Sequence, residues 1–156
     1  MLTNSSNEIP ATKMLDKKIE ARYMARSIAE VIRLKIKNYP EEFMEALRDL
    51  ELYQKNGGIS LPKNYKTYVS DFNTTNAIRN NFGLGNENLS GKLNGLKRIY
   101  IGKPTSSGNS QFVTDVIELS IDVSYKLTKK DFVKTPRTVT TTLIEEIKFK
   151  RRFTPN

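Results

Sequence analysis

The 156-residue sequence contains no cysteine, no histidine and no tryptophan. Without cysteine, the chain has no disulfide, no thiolate nucleophile and no thiolate metal ligand. Without histidine, it also lacks the commonest general base and metal ligand of proteins. The missing tryptophan and an apolar fraction of 37 % predict a modest hydrophobic core. We therefore expect a non-enzymatic protein that uses no cofactor and no metal.

Long apolar runs are also missing. The first residues, MLTNSSNEIPATK, lack the basic and apolar segments of a signal peptide, and no stretch approaches the roughly 20 apolar residues of a membrane span. We expect a protein without membrane contact that is cytoplasmic during assembly.

Positive charge, by contrast, is abundant. Lysine and arginine number 26 against 17 acidic residues, which gives a net charge of +9. Such an excess favours polyanionic partners or acidic protein surfaces, although it does not define a mechanism.

The apolar periodicity changes from helical to alternating along the chain and predicts an α+β fold. We predict a flexible tail at residues 1–12 and a single domain at 13–156. Its expected elements are helices at about 13–38 and 40–56, an irregular polar loop at 57–95, and strands at about 96–102, 112–127 and 137–153. A short helix from Tyr65 to Phe72 fits within the loop. Neighbouring strands are expected to pair as an antiparallel meander.

Each of the two predicted helices has an apolar face. In the first helix the expected core residues are Tyr23, Met24, Ile28, Val31, Ile32 and Leu34. Pro40 ends this helix, because the residue before a proline avoids the helical region, and it also suits the first position of the second helix.

The stretch VIELSIDVSYKL, residues 116–127, alternates apolar and polar residues throughout. An extended chain of this length spans about 40 Å at roughly 3.3 Å per residue. This length is excessive for a small self-contained core. We therefore expect the end near Leu127, and the loop after it, to reach a neighbouring subunit.

The first helix carries a basic stripe on the side opposite its apolar face. The stripe consists of Lys18, Arg22, Arg26, Arg33 and Lys37. It is a candidate surface for phosphates or a protein partner. The alternative is a solvated face that is partly paired with Glu30 or with the acidic second helix.

A second basic cluster occurs in KFKRRF near the C-terminal end. It consists of Lys148, Lys150, Arg151 and Arg152. Alternation places Lys148, Lys150 and Arg152 on one side of the strand and the phenylalanines on the other. The cluster either lines a nucleic-acid channel or protects a terminal strand against aggregation.

Carboxylates are the remaining groups with enzymatic potential. Glu118 and Asp122 share the polar face of one strand, and Glu146 on a neighbouring strand would complete a cluster. Glu118 and Asp122 are roughly 13 Å apart, which is too far for a glycosidase-like pair. Solvated carboxylates paired with lysines on neighbouring strands are the preferred interpretation.

Together these features favour a structural subunit that assembles with copies of itself and with other structural proteins. The candidate assembly loop joins the two long strands and contains Lys129, Lys130, Asp131, Phe132 and Val133. Small connector, ring-forming and tail-completion proteins of tailed bacteriophages have a similar general make-up, so we expect a virion protein of this kind. The alternative is a basic nucleic-acid-binding module, and a ring that passes DNA would combine both roles.

Overall fold

The computed structural model describes residues 11–72, 88–128 and 135–153, with side chains described from Leu15 onward. Its helices are α1 (Ala11–Asn38), α2 (Pro40–Lys55) and α3 (Lys63–Ser70). Its strands are β1 (Leu89–Ile101), β2 (Thr105–Ser107), β3 (Ser110–Leu127) and β4 (Arg137–Arg152). Helices followed by an antiparallel sheet confirm the α+β class. The predicted tail lies largely outside the described residues, and α1 already includes Ala11 and Thr12 because alanine is a strong helix former.

Strand β3 is the centre of the sheet. It pairs with β4 from Phe112 opposite Arg152 to Leu127 opposite Arg137. On its other edge it pairs first with β2 and then with β1, which follow each other along that edge. All of these pairings are antiparallel. Strands β2 and β4 pair with their chain neighbour β3, whereas β1 pairs with β3 across the short β2, so the three long strands follow the predicted meander.

The alternation of β3 separates a buried face from a polar one. Every second side chain from Val113 to Leu127 is buried, and Asp115 is the single polar member of this row. Leu127 is fully buried within the chain's own core, so the prediction that this end of the strand reaches a neighbour is wrong for Leu127. The 28-residue α1 helix lies against β1, β3 and β4. Because so long a helix covers the buried face of β3, a strand of this length can be buried within one domain.

Helix α1 packs closely on the sheet through small side chains. A Cβ atom at Gly91 would lie 2.6 Å from Cδ1 of Ile28, so the helix passes directly over this glycine. The buried residues of α1 are Ala21, Met24, Ala25, Ile28, Ala29, Ile32 and Ile36. Tyr23 and Leu34, which were predicted to be in the core, are exposed because the alanine side of the helix faces the sheet instead.

The predicted loop at 57–95 contains the short helix expected within it, which occupies Lys63–Ser70 as α3 instead of Tyr65 to Phe72. The loop prediction is wrong at its end, because β1 begins at Leu89 instead of about residue 96. Glycine and asparagine make LSGKLNG a poor strand by composition, but its pairing with β3 stabilises it, with a register shift between Leu93 and Gly95. Tertiary pairing therefore overrides the local preference.

Helix α3 and the two residues that follow it cover the outer edge of β1. The backbone amide of Leu93 donates to the carbonyl oxygen of Phe72 at 3.1 Å. The amide of Leu96 donates to the hydroxyl of Tyr65 at 3.0 Å, in a buried position. These bonds satisfy backbone donors that an edge strand otherwise leaves open to other chains.

Replacing Tyr65 with phenylalanine is expected to lower the free energy of unfolding by about 1–3 kcal/mol, because the buried amide of Leu96 loses its acceptor. Urea denaturation monitored by circular dichroism measures the change. Tyr100→Phe, which alters an exposed tyrosine, is the matched control and should change stability by less than about 0.5 kcal/mol. Equal effects of the two substitutions would contradict the proposed role of this hydroxyl.

Candidate functional site

The two basic clusters, which are far apart in the sequence, meet at one cleft of about 520 Å³ between the helices and β4. Arg33 and Lys37 come from the last turns of α1, and Glu41 comes from the start of α2. The lining residues are Arg33, Ile36, Lys37, Pro40, Glu41, Met44 and residues 147–152. Apolar side chains and cations thus border the same open space.

Alternation along β4 determines which side chains face the helices. Ile147 and Phe149 are buried, whereas Lys148, Lys150 and Arg152 are exposed, as predicted. The ring of Phe149 packs edge-on against Phe43 of α2, with the ring centroids 5.1 Å apart. This contact fixes the strand next to the helices. The exposed cations lie opposite Val116, Thr114 and Phe112 of β3 and therefore project from the outer face of β4, at the rim of the cleft. Nζ of Lys150 lies 4.6 Å from the ring centroid of Phe112 on that face.

Most of the cations around the cleft have no carboxylate partner. Lys37, Lys148, Lys150 and Arg152 form no salt bridge with any described residue, and we call these four the cleft cations. Glu41 is the only carboxylate among the lining residues. Uncompensated positive charge in a concave surface concentrates anions there.

Arg151 lies in the same row of β4 as Ile147 and Phe149, on the side that faces the helices, and has an internal partner. Its Nε donates to Oδ2 of Asp115 at 2.8 Å, and Asp115 is fully buried. The Nε of Arg98 lies 3.6 Å from the same oxygen and 3.4 Å from Oε1 of Glu51. Arg151 was predicted to contact a partner, but in the structure it neutralises a buried carboxylate. Asp115 was not singled out from the sequence, although a carboxylate in the apolar row of β3 is an unusual position.

The remaining basic residues of α1 form a separate group, the N-terminal stripe, which consists of Lys18, Arg22 and Arg26. All three are exposed, and none forms a salt bridge with a described residue. Arg26 lies about 10 Å along the helix axis from Arg33, at 1.5 Å per residue. Arg33 itself pairs with Glu30 at 3.3 Å. The N-terminal stripe therefore continues the positive face of α1 away from the cleft.

The candidate carboxylates lie on the outer face of the sheet. Glu118 is opposite Glu146 and forms a salt bridge of 3.2 Å with Lys97 on β1. Asp122 accepts a hydrogen bond from Thr142 at 2.6 Å. Within residues 11–72, 88–128 and 135–153, no three or more acidic groups are arranged to hold a metal ion. The interpretation as solvated carboxylates with partners on neighbouring strands agrees with this geometry.

The predicted assembly loop, with Lys129, Lys130, Asp131, Phe132 and Val133, lies outside the described residues. Its role stays a prediction.

A second, acidic groove of about 410 Å³ lies between α2 and α3. Its lining residues are Glu42, Glu45, Lys63, Asn64, Thr67, Tyr68 and Asp71. Nζ of Lys35 is 2.9 Å from Asp71 and 3.5 Å from Glu42, and it sits 4.9 Å from the ring centroid of Tyr68.

The hydroxyl of Tyr68 is buried without a hydrogen-bond partner. Burial, and then the charges of Glu42 and Asp71, raise the pKa of Tyr68 well above its ordinary value.

This raised pKa predicts a loss of stability in alkali. Below about pH 10, tyrosine is neutral in both the folded and the unfolded chain, so its contribution is constant. Above that pH only the unfolded chain ionises at this position, and stability falls by about 1.4 kcal/mol per pH unit. Tyr68→Phe should remove this part of the pH dependence, as measured by urea unfolding between pH 9 and 11. Tyr100→Phe, at an exposed site, should retain it.

Among the described helices, none is long and apolar enough to cross a membrane. Comparisons with protein-family models, with curated proteins and with solved structures find no match to this chain.

Proposed function

We propose that the protein is a non-enzymatic structural subunit that binds nucleic acid along its basic cleft and assembles with copies of itself. The observation that carries the nucleic-acid part is that Lys37 of α1 and the outward-facing cations of β4, all without a carboxylate partner among the described residues, border one cleft. In the sequence these cations form two clusters that solvated faces would explain equally well. Their meeting around one space favours a shared anionic ligand.

The spacing of the cleft cations favours a polymeric anion. Lys148, Lys150 and Arg152 follow one another at every second position of β4, or about 7 Å apart. A polynucleotide offers repeated phosphates to such a row, whereas a small anion reaches one or two of the cations. Each phosphate that is neutralised releases counterions and adds to the affinity.

The cleft offers little for reading a base sequence. Phe149, the aromatic ring in its wall, is buried against Phe43 and is not open to stacking with a base. Lysine and arginine on an exposed strand contact phosphates in any sequence context. The binding is therefore expected to be independent of sequence and sensitive to salt.

Fluorescence anisotropy with a labelled oligonucleotide of mixed sequence tests the binding. The affinity should fall steeply between 50 and 200 mM salt, and an oligonucleotide of different sequence and equal length should bind equally well. No binding at 50 mM salt would overturn the nucleic-acid part of the proposal.

Two features support assembly with copies of itself and with other structural proteins. In the described part of the chain, the backbone of β4 pairs only with β3, so its outer edge is available to another strand. The first turns of α1 bury no described side chain between Leu15 and Glu20. The specific assembly that the sequence suggested, a connector or tail-completion protein of a tailed bacteriophage, remains a prediction.

A further inference from the structure

The N-terminal half of α1 has an apolar strip that the described residues leave uncovered. Leu15, Ile19 and Tyr23 are 58 %, 42 % and 64 % exposed, and they follow one another at a spacing of four residues. Residues at this spacing are neighbours on one side of a helix. Helices in proteins gain most of their stability by packing such a face, so this part of α1 is suited to an intermolecular contact.

The chemistry of this surface restricts what can cover it. Next to the apolar strip lie Lys18, Arg22 and Arg26, the N-terminal stripe, which has no salt bridge among the described residues. A partner must therefore be both acidic and partly apolar. Two α1 helices packed face to face would bring these like charges together, which opposes a symmetric contact between identical surfaces.

The same chain provides a complementary surface in the acidic groove between α2 and α3. Glu42 and Asp71 already hold one ammonium group there, that of Lys35. Glu45 forms no salt bridge with a described residue, and the buried hydroxyl of Tyr68 has no hydrogen-bond partner. Leu52 follows Glu45 by seven residues, so it lies two turns further on the same side of α2, and it adds an exposed apolar side chain beyond the end of the groove. This side of α2 thus offers acidic, polar and apolar groups to a basic amphipathic helix.

We infer that the N-terminal half of α1 of one copy docks through Leu15, Ile19 and the N-terminal stripe on the acidic groove of a second copy. This inference rests on the proposed assembly of the protein with itself. Because the two contacting surfaces differ, the contact is head-to-tail. Repetition of such a contact builds a ring if the rotation closes and a filament if it does not.

Charge reversal on each side of the contact tests the inference. In analytical ultracentrifugation the wild-type mass should rise with concentration, and Arg22→Glu or Glu45→Lys alone should weaken association at least tenfold. An equimolar mixture of the two variants should associate again, because the intact groove of R22E meets the intact stripe of E45K. The double variant R22E/E45K should also recover association through the exchanged charges.

Lys126→Glu makes the same change of charge as Arg22→Glu, but on the outer face of the sheet, away from both surfaces, and should associate like the wild type. Far-ultraviolet circular dichroism checks that every variant is folded. Wild-type association that neither R22E nor E45K weakens would overturn this interface and leave the proposed assembly intact. A wild-type protein that stays monomeric at all concentrations would overturn both.

Discussion

Replacement of Lys148, Lys150 and Arg152 together with glutamine is expected to weaken DNA binding by about 100-fold. Each substitution removes one charged contact with a phosphate, at roughly 1 kcal/mol per contact. The dependence of log affinity on log salt concentration should become shallower by about one unit per residue. Anisotropy titrations at several salt concentrations measure both quantities.

The matched control for this prediction replaces Lys66, Lys92 and Lys126 with glutamine. These lysines are also exposed and form no salt bridge with a described residue, and they lie on α3, on β1 and at the far end of β3, so the variant has the same number of removed charges. Its affinity should fall much less than that of the cleft variant. Equal loss in the two variants would show that net charge, not the cleft, determines binding.

The second large effect is expected at the buried carboxylate. Asp115→Ala should lower the free energy of unfolding by about 3–5 kcal/mol, because Arg151 and Arg98 would keep their charges in largely buried positions without this partner. Denaturation with urea gives the change, provided that the slope of free energy against denaturant is unchanged.

Asp122→Ala is the control, since it removes a carboxylate from the exposed face of the same strand. It should cost less than about 1 kcal/mol. If Asp115→Ala cost no more than this, the ion pairs with Arg151 and Arg98 would not contribute to the stability of the fold. The combination Asp115→Ala and Arg151→Met should recover part of the lost stability, because it removes one of the uncompensated charges.

The parts of the fold that local sequence determines could be predicted. The strict alternation of β3 and the proline at position 40 led to the correct strand and the correct junction between helices. The beginning of β1 could not be predicted, because Gly91 and Gly95 weaken the local preference and only pairing with β3 stabilises the segment.

The core face of α1 was partly wrong for a related reason. A helical wheel identifies an apolar side of a helix, but the closeness of the sheet at Gly91 selects small residues, including Ala25 and Ala29, for the contact. The larger side chains of Tyr23 and Leu34 consequently remain exposed.

The candidate site could be predicted only as separate charge clusters. Alternation correctly placed Lys148 and Lys150 on the exposed side of β4, but no local pattern shows that this strand ends beside Arg33 and Lys37. The partner of Arg151 depends on the register between β3 and β4, which places Val113 opposite Arg151 and lets the arginine reach Asp115 along the neighbouring strand.

The two edge strands of the sheet, β1 and β4, differ in how readily they can pair with a strand of another molecule. The amides of Leu93 and Leu96 on β1 donate hydrogen bonds to the carbonyl of Phe72 and the hydroxyl of Tyr65. The outer edge of β4 has no such bonds with the described residues. Pairing between the β4 edges of two molecules would join them into one continuous sheet, whose two outer strands would both be β1 with its middle covered. Further growth of that sheet, which needs two free edges per molecule, is therefore opposed by α3 and the two residues that follow it.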